Sequence, residues 1–166
     1  DINGPQYKAL LALKEGTGSV DVNATLNSTT EVYKADLKVS DFQIHHFLPK
    51  DSIYELSLSA TASGKGLDVM SYRSYAKLNL TLDELHYTHY RLSNVSLDGD
   101  LKGGLATARL SSDNELLKMH AEGEYHVTRS YPDGKVTLAV TSLDLCELGL
   151  APKPLKHPFA FNLEAE

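Results

Sequence analysis

The chain has 166 residues, 42% of them hydrophobic and 23% charged, with 16 Lys plus Arg against 22 Asp plus Glu for a net charge of −6. That length supports one domain with a sizeable core and is too short to argue for two. The acidic balance, with no basic cluster to track a phosphate backbone, argues against a nucleic-acid partner.

Cys146 is the only cysteine, so no internal disulfide can form, and its place in an apolar alternation reads as a small core residue. No run approaches the ~20 apolar residues of a membrane-spanning helix, and no charged and apolar leader opens the chain. It begins at Asp1 without Met and ends inside the strand-like FAFNLEAE, which we read as a piece of something longer.

The first expected strand covers residues 7–13, with Tyr7, Ala9, Leu11 and Leu13 on one side and Lys8 and Lys14 on the other. Glu15-Gly16-Thr17-Gly18 turns it. Val20, Val22, Ala24 and Leu26 then alternate with Asp21, Asn23, Thr25 and Asn27, the pattern of a half-buried strand with a wet outer face. A turn at 27–30 leads to the stretch KADLKVSDFQIHHFLPKDSIYELSLSATASG, residues 34–64, which a weakened copy repeats as KVTLAVTSLDLCELGLAPKPLKHPFAFNLEAE, residues 135–166.

In the alignment of the two copies Lys34, Leu37 and Val39 match Lys135, Leu138 and Val140, and Phe42, Ile44 and Phe47 match Leu143, Leu145 and Leu148. After a two-residue insertion Pro49-Lys50 meets Pro152-Lys153. Each copy reads as a strand, a two-residue interruption, a resumed alternation on the opposite parity, a Pro-Lys loop and a second strand. In the first copy that second strand places Tyr54, Leu56, Leu58, Ala60 and Ala62 on one face.

Gly64-Lys65-Gly66 ends this strand; it is too short for a phosphate loop and opens no helix. Residues 67–74 read as a surface crossing. Strands over 77–87 and 90–101 follow around Thr88-His89, and Gly103-Gly104 is a tight turn. Residues 105–111 pair next. Ser112-Asp113-Asn114-Glu115 suits either a hairpin loop or a helix N-terminal capping box. The period-two alternation of Leu117, Met119, Ala121, Gly123, Tyr125 and Val127 favours a strand after it. Tyr131-Pro132-Asp133-Gly134 is a hairpin turn leading into the second copy. The sum is about ten strands with little or no helix.

Apolar parity flips at Ser40-Asp41, Asp83-Glu84, Ser93-Asn94 and Thr141-Ser142. Side chains alternate faces along a strand, so a flip must be absorbed either by a turn or by a β-bulge. A bulge adds one residue, bends the strand and returns the apolar set to the same face, which curves an antiparallel sheet. We expect bulges at these sites, and within residues 1–166 a single curved antiparallel sheet.

Chemistry-bearing clusters are sparse. Glu84, His86 and His89 are close in sequence, but a strand sends the two histidines to opposite faces and no further ligand is evident, so they and His45-His46 read as surface histidines. There is no nucleophile elbow and no paired carboxylates. No catalytic residue, metal site or cofactor is therefore expected, and the chain is not expected to be an enzyme. Asn23, Asn27, Asn79 and Asn94 begin Asn-x-Ser/Thr triplets, which polar strand faces generate by composition alone.

The block YKADLKVSDFQIHHFLPKDSIYELSLSATASGKGLD, the later LDELHYTHYRLSNVSLDGDLKGG and the reduced copy LDLCELGLAPK resemble the AsmA-like/TamB family of Gram-negative envelope proteins. The resemblance spans most of the chain and corresponds to a middle segment. It implies a long, inner-membrane-anchored, periplasmic β-sheet protein folded as a β-taco, an open groove whose apolar inner face conducts phospholipid or another acyl-chain lipid toward the outer membrane. An outer-membrane assembly protein is an implied partner of the full-length chain.

Groove-lining candidates are Val22, Leu26, Leu37, Val39, Phe42, Leu56, Leu58, Leu80, Leu82 and Leu138. Two other readings are a closed lipocalin-like barrel holding one small apolar ligand, and a structural β-sandwich or adhesion module.

Overall fold

The computed structural model describes residues 2–3, 5–47, 53–88, 90–127, 133–146 and 159–166. Among them, eleven strands form a single sheet in sequence order. They are β1 (Ile2–Asn3), β2 (Gln6–Glu15), β3 (Gly18–Asn27), β4 (Val32–Gln43), β5 (Ile53–Lys65), β6 (Tyr75–Tyr87), β7 (Tyr90–Lys102), β8 (Leu105–Asp113), β9 (Leu117–His126), β10 (Gly134–Leu143) and β11 (Phe159–Ala165).

Each pair is antiparallel. The two-residue β1 was not anticipated. Helical structure among the described residues is limited to one 3-10 turn, Ile44–His46. The protein is therefore all-β, as its period-two pattern requires.

Short polar turns make this meander possible. At Gly103 and Gly104 both φ angles are positive, 60° and 79°, the geometry that joins two twisted strands without splaying them. The Tyr131-Pro132 part of the next expected turn lies outside the described residues, as do His89, Leu148 and Pro152-Lys153.

The parity flips coincide with irregularities in the ladders. Val39 pairs with Leu58 but Phe42 pairs with Leu56, so Ser40-Asp41 bulges. Asp41 has φ 47°, and Ser57 holds it by accepting from its N–H at 2.8 Å and donating to its carboxylate at 3.1 Å. Leu58 pairs with Leu82 but Ser57 with Glu84, leaving Asp83 over. On β9 and β10, Val140 faces Met119 and Ser142 faces Lys118, leaving Thr141 over.

Ser93-Asn94 behaves differently. Leu82–Val95 and Glu84–Ser93 are in the same register, so Asp83 and Asn94 are skipped together and the β6–β7 ladder does not shift. Asn94 takes φ 55°, and the β7–β8 ladder ends beside it at Val95–Ser112. A further shift, between Ile53 and Glu55, has no counterpart in the parity reading.

Two expectations from the repeat are corrected. Ile44 does not resume a strand: the 3-10 turn closes with the Phe47 N–H donating to Ile44 O at 2.9 Å and stacks Phe47 on Phe42, ring centroids 5.3 Å apart. Likewise β10 stops at Leu143, and Cys146 lies in a turn, half-buried, its N–H donating to Asp144 Oδ1 at 3.0 Å.

The sheet is a single layer and is not closed into a barrel. Apart from the 3-10 turn against β5, the substantial contacts between elements are those of sheet neighbours. This corrects the closed-barrel alternative: β11 sits at one end of the strand order and β1-β2 at the other. The accessible surface is 11337 Å² for 18.2 kDa, against roughly 8,000 Å² for a compact monomer of that mass. Among the described apolar residues only Val39 and Val140, 7% and 5% exposed, are buried, so the sizeable core that length allows is not assembled.

Candidate functional site

Strand pairing turns the alternation of each segment into rows that cross the whole sheet. Leu11, Val22, Leu37, Ala60, Leu80, Leu97, Leu110, Ala121, Leu138 and Leu163 face one another in turn, one from each strand from β2 to β11. Every member is apolar. With strands ~4.8 Å apart this row runs roughly 43 Å across the strands.

The neighbouring row is Leu13, Val20, Val39, Leu58, Leu82, Val95, Ser112, Met119, Val140 and Phe161. Its one polar member, Ser112, is buried and donates from Oγ to Leu117 O at 2.8 Å, so its hydroxyl is satisfied. Beyond the bulges the same face continues through Phe42, Leu56, Leu85 and Leu92. This is what the extra residues accomplish: without them Phe42 and Leu56 would stand on opposite sides.

On the other flank the side chains shrink. Ala9, Ala24, Ala35 and Ala62 line up across β2 to β5, and Gly99, Ala108 and Gly123 across β7 to β9. A shallow band therefore lies beside the leucine rows.

The ten candidates all stand on this one face. Val22, Leu37, Leu80 and Leu138 share the first row; Val39, Leu58 and Leu82 share the second; Phe42 and Leu56 lie past the bulge. Leu26, opposite Tyr7 and Tyr33, lies toward the other rim. Except for Val39 all are half-buried. Pattern reading missed their partners Leu97, Leu110 and Leu163, whose alternation was visible but whose alignment with the others depends on ladder register.

The reverse face is polar. Behind the first row stand Asn23, Asp36, Thr61, Asn79, Asp98, Arg109, Glu122, Thr137 and Glu164, with Leu10 the single apolar exception. Its charges pair with one another, as in Arg109 Nε to Glu122 Oε1 at 3.2 Å and Lys135 with Glu164. The Glu164 carboxyl is held below the ordinary carboxylate value by hydrogen bonding to Lys135. The Lys135 ammonium is raised in return, chiefly by hydrogen bonding to Glu164 and then Glu166.

Two depressions lie along the apolar side of β2 to β5. One of about 550 Å³ includes Leu11, Val22, Leu37 and Ala60 in its lining. The other, about 330 Å³, includes Tyr7, Ala24, Leu26, Tyr33 and Ala35, and is approached by Leu67 from the β5–β6 loop. That loop holds Leu67, Val69, Met70 and Tyr72 exposed, while Ser74 anchors it by donating to Asp68 O at 2.6 Å.

Three histidines gather at one rim. His46, His45, Tyr54 and His86 form a run of rings with successive centroids 4.6, 5.3 and 5.2 Å apart, and His46 Nδ1 lies 2.6 Å from Glu15 Oε1. Glu84 pairs instead with Arg91. Among the described residues no group of three or more His, Cys, Asp or Glu is placed to hold a metal ion, and no helix is long and apolar enough to cross a membrane. Comparison of the chain with protein-family models, curated proteins and solved structures found no match.

Proposed function

We propose that this chain is a periplasmic segment of an inner-membrane-anchored, AsmA-like/TamB envelope protein, and that its apolar face carries phospholipid or another acyl-chain lipid. The observation that carries the reading is the unbroken apolar row from Leu11 to Leu163, lying on a sheet with no covering layer among the described residues. An apolar face of this extent must hold something apolar. Covering one half-exposed leucine gains on the order of 1 kcal/mol, so an acyl chain laid along several of them is retained without any polar contact.

Cargo held this way slides, because each row position resembles the next. The polar reverse face keeps the segment wetted on its outer side. Supporting outer-membrane assembly, through a partner protein bound elsewhere on a full-length chain, belongs to the same reading.

The test separates a wall from a core. Leu58→Asp and Leu80→Asp each put a carboxylate on the half-exposed face. If that face is a lipid wall, both variants retain their β circular dichroism and lose photocrosslinking to phospholipid. In a filled core the same charge costs several kcal/mol, on the order of the stability of a whole domain. Global unfolding of both variants, or no lipid bound by the parent chain, refutes the conduit.

A further inference from the structure

Between the leucine rows and one rim of the sheet the apolar face is notched. On four adjacent strands, β2 to β5, the facing residues are Ala9, Ala24, Ala35 and Ala62, and the next member of that row, on β6, is Leu78. Leu11, Val22 and Leu37 flank the alanines on one side; Tyr7, Leu26 and Tyr33 flank them on the other. Same-face residues are two apart along a strand, so the flanking rows stand roughly 13 Å from each other at the backbone, and the alanine floor runs roughly 14 Å across the strands. The depression of about 330 Å³ lies over this floor.

Its rim is preformed. The Tyr33 ring leans over β5, with Cζ 2.6 Å from where a β-carbon of Gly64 would stand. Leu67, 61% exposed, lines the same depression from the β5–β6 loop. That loop is tied down, since the Gly66 N–H donates to Glu31 O at 3.1 Å and the Ser74 N–H to Ser71 O at 3.0 Å. Lys8, Thr25 and Lys34 also border the depression, but strand alternation turns them to the polar face, where Lys34 pairs with Asp36 Oδ2 at 3.2 Å.

We propose that this notch is a discrete binding site for one hydrocarbon chain of a lipid, held between the leucine row and the Tyr33–Leu67 wall and stopped at Leu78. It is a resting point on an otherwise uniform face, and it rests on the reading of that face as a lipid carrier. Methyl groups on the floor offer contact but no hydrogen bond. β3 and β4 have ladder partners on both sides, so a peptide laid across them would leave its own N–H and C=O groups unpaired in an apolar slot. An acyl chain carries no such groups, which makes it the occupant. A leucine row touches a chain from below only; the notch touches it on the floor and both flanks, covering more apolar surface per methylene.

The experiment mixes the purified chain with phosphatidylcholine vesicles whose lipid carries a diazirine at the end of one acyl chain, and maps the labelled residues after irradiation. In the parent, labels should concentrate at Leu26, Tyr33, Ala35 and Leu67. Ala24→Leu with Ala35→Leu fills the notch while keeping it apolar, and should cut that labelling roughly tenfold with unchanged β circular dichroism. Ala139→Leu, the same enlargement on the polar face, should leave labelling as it is in the parent. Should the double variant fail to fold, Leu67→Ser in the exposed loop removes one wall and should lower labelling at Leu26 and Tyr33 severalfold.

Labels spread evenly along the Leu11-to-Leu163 row, and indifferent to filling of the notch, overturn the proposal while leaving the lipid-carrying face standing. A parent chain that takes no label overturns both. Equal loss of labelling in Ala139→Leu also overturns it. So does a double variant that keeps its labelling but loses self-association in sedimentation, which would mark the notch as a protein contact.

Discussion

At Gly18 the Asp41 carbonyl oxygen lies 2.6 Å from where a β-carbon would stand and Phe42 Cα 2.9 Å, so the first bulge presses on the start of β3 through a space only glycine leaves. Gly18→Ala should force the bulge outward and cost about 1–3 kcal/mol in urea denaturation. Gly16 differs: its φ is 57° with no atom within 4 Å, so Gly16→Asn, which tolerates the left-handed region, should leave stability nearly unchanged.

Asn114, 6% exposed, is a second residue on which local structure turns. Its amide donates to Ser93 Oγ at 3.1 Å and its Oδ1 accepts from the Leu116 N–H at 2.8 Å, bracing the β8–β9 turn where the β7–β8 ladder stops. Asn114→Ala leaves those groups without this partner. It should destabilise by about 1–3 kcal/mol, with the largest hydrogen-exchange changes around residues 91–95 and 114–117.

Among the elements, β4–β5 and β10–β11 repay comparison because the sequence copies coincide there. Val39 and Val140, matched in the alignment, are the two buried apolar residues among those described, each just ahead of a bulge, and each faces a large apolar residue, Leu58 and Phe161. The copies differ on the polar side, where only the second has the Lys135–Glu164 pair and the Lys135 contact to Glu166 at 3.3 Å.

Because the folded Glu164 carboxyl titrates low, its share of stability is present above the ordinary carboxylate value and lost as pH falls through the lowered one. Because Lys135 titrates high, its share is present below the ordinary lysine value and lost as pH rises through the raised one. The melting-temperature gap between the parent and Lys135→Met should therefore be widest near neutrality and close at both extremes. The pair keeps much of its side-chain surface in water, 42% for Lys135 and 63% for Glu164, which keeps the gap small, and added salt should shrink it.

At the scale of the molecule, stability is close to one-dimensional, since each strand is held mainly by its two neighbours. Opening should begin at the ends. Amides of β2 and β11 should exchange fastest and those of β5 to β7, flanked on both sides by long ladders, slowest. Uniform protection across all strands would mean that a second layer, absent among the described residues, ties the sheet together. The same geometry places the apolar rows across the strands rather than along them, so under the proposed function a cargo path would lengthen by one strand spacing for each strand added.

Strand identity and the bulges at Ser40-Asp41, Asp83-Glu84 and Thr141-Ser142 were legible in the linear pattern. Both follow from the alternation of a strand's own backbone, and a parity break leaves its mark within a few residues. The ten candidate residues shared a face for the same reason.

What no linear reading contained is register between strands. Asp83 and Asn94 cancel because they lie opposite each other, and the Leu11-to-Leu163 row exists because turn lengths and bulges in successive hairpins add up to alignment. The turn that brings Phe47 onto Phe42, and the absence of pairing between the two ends of the strand order, are likewise properties of contacts between distant residues. Alternation selects which side of a strand is apolar, but whether those sides meet in a packed core or lie open as a face is decided by how the strands assemble.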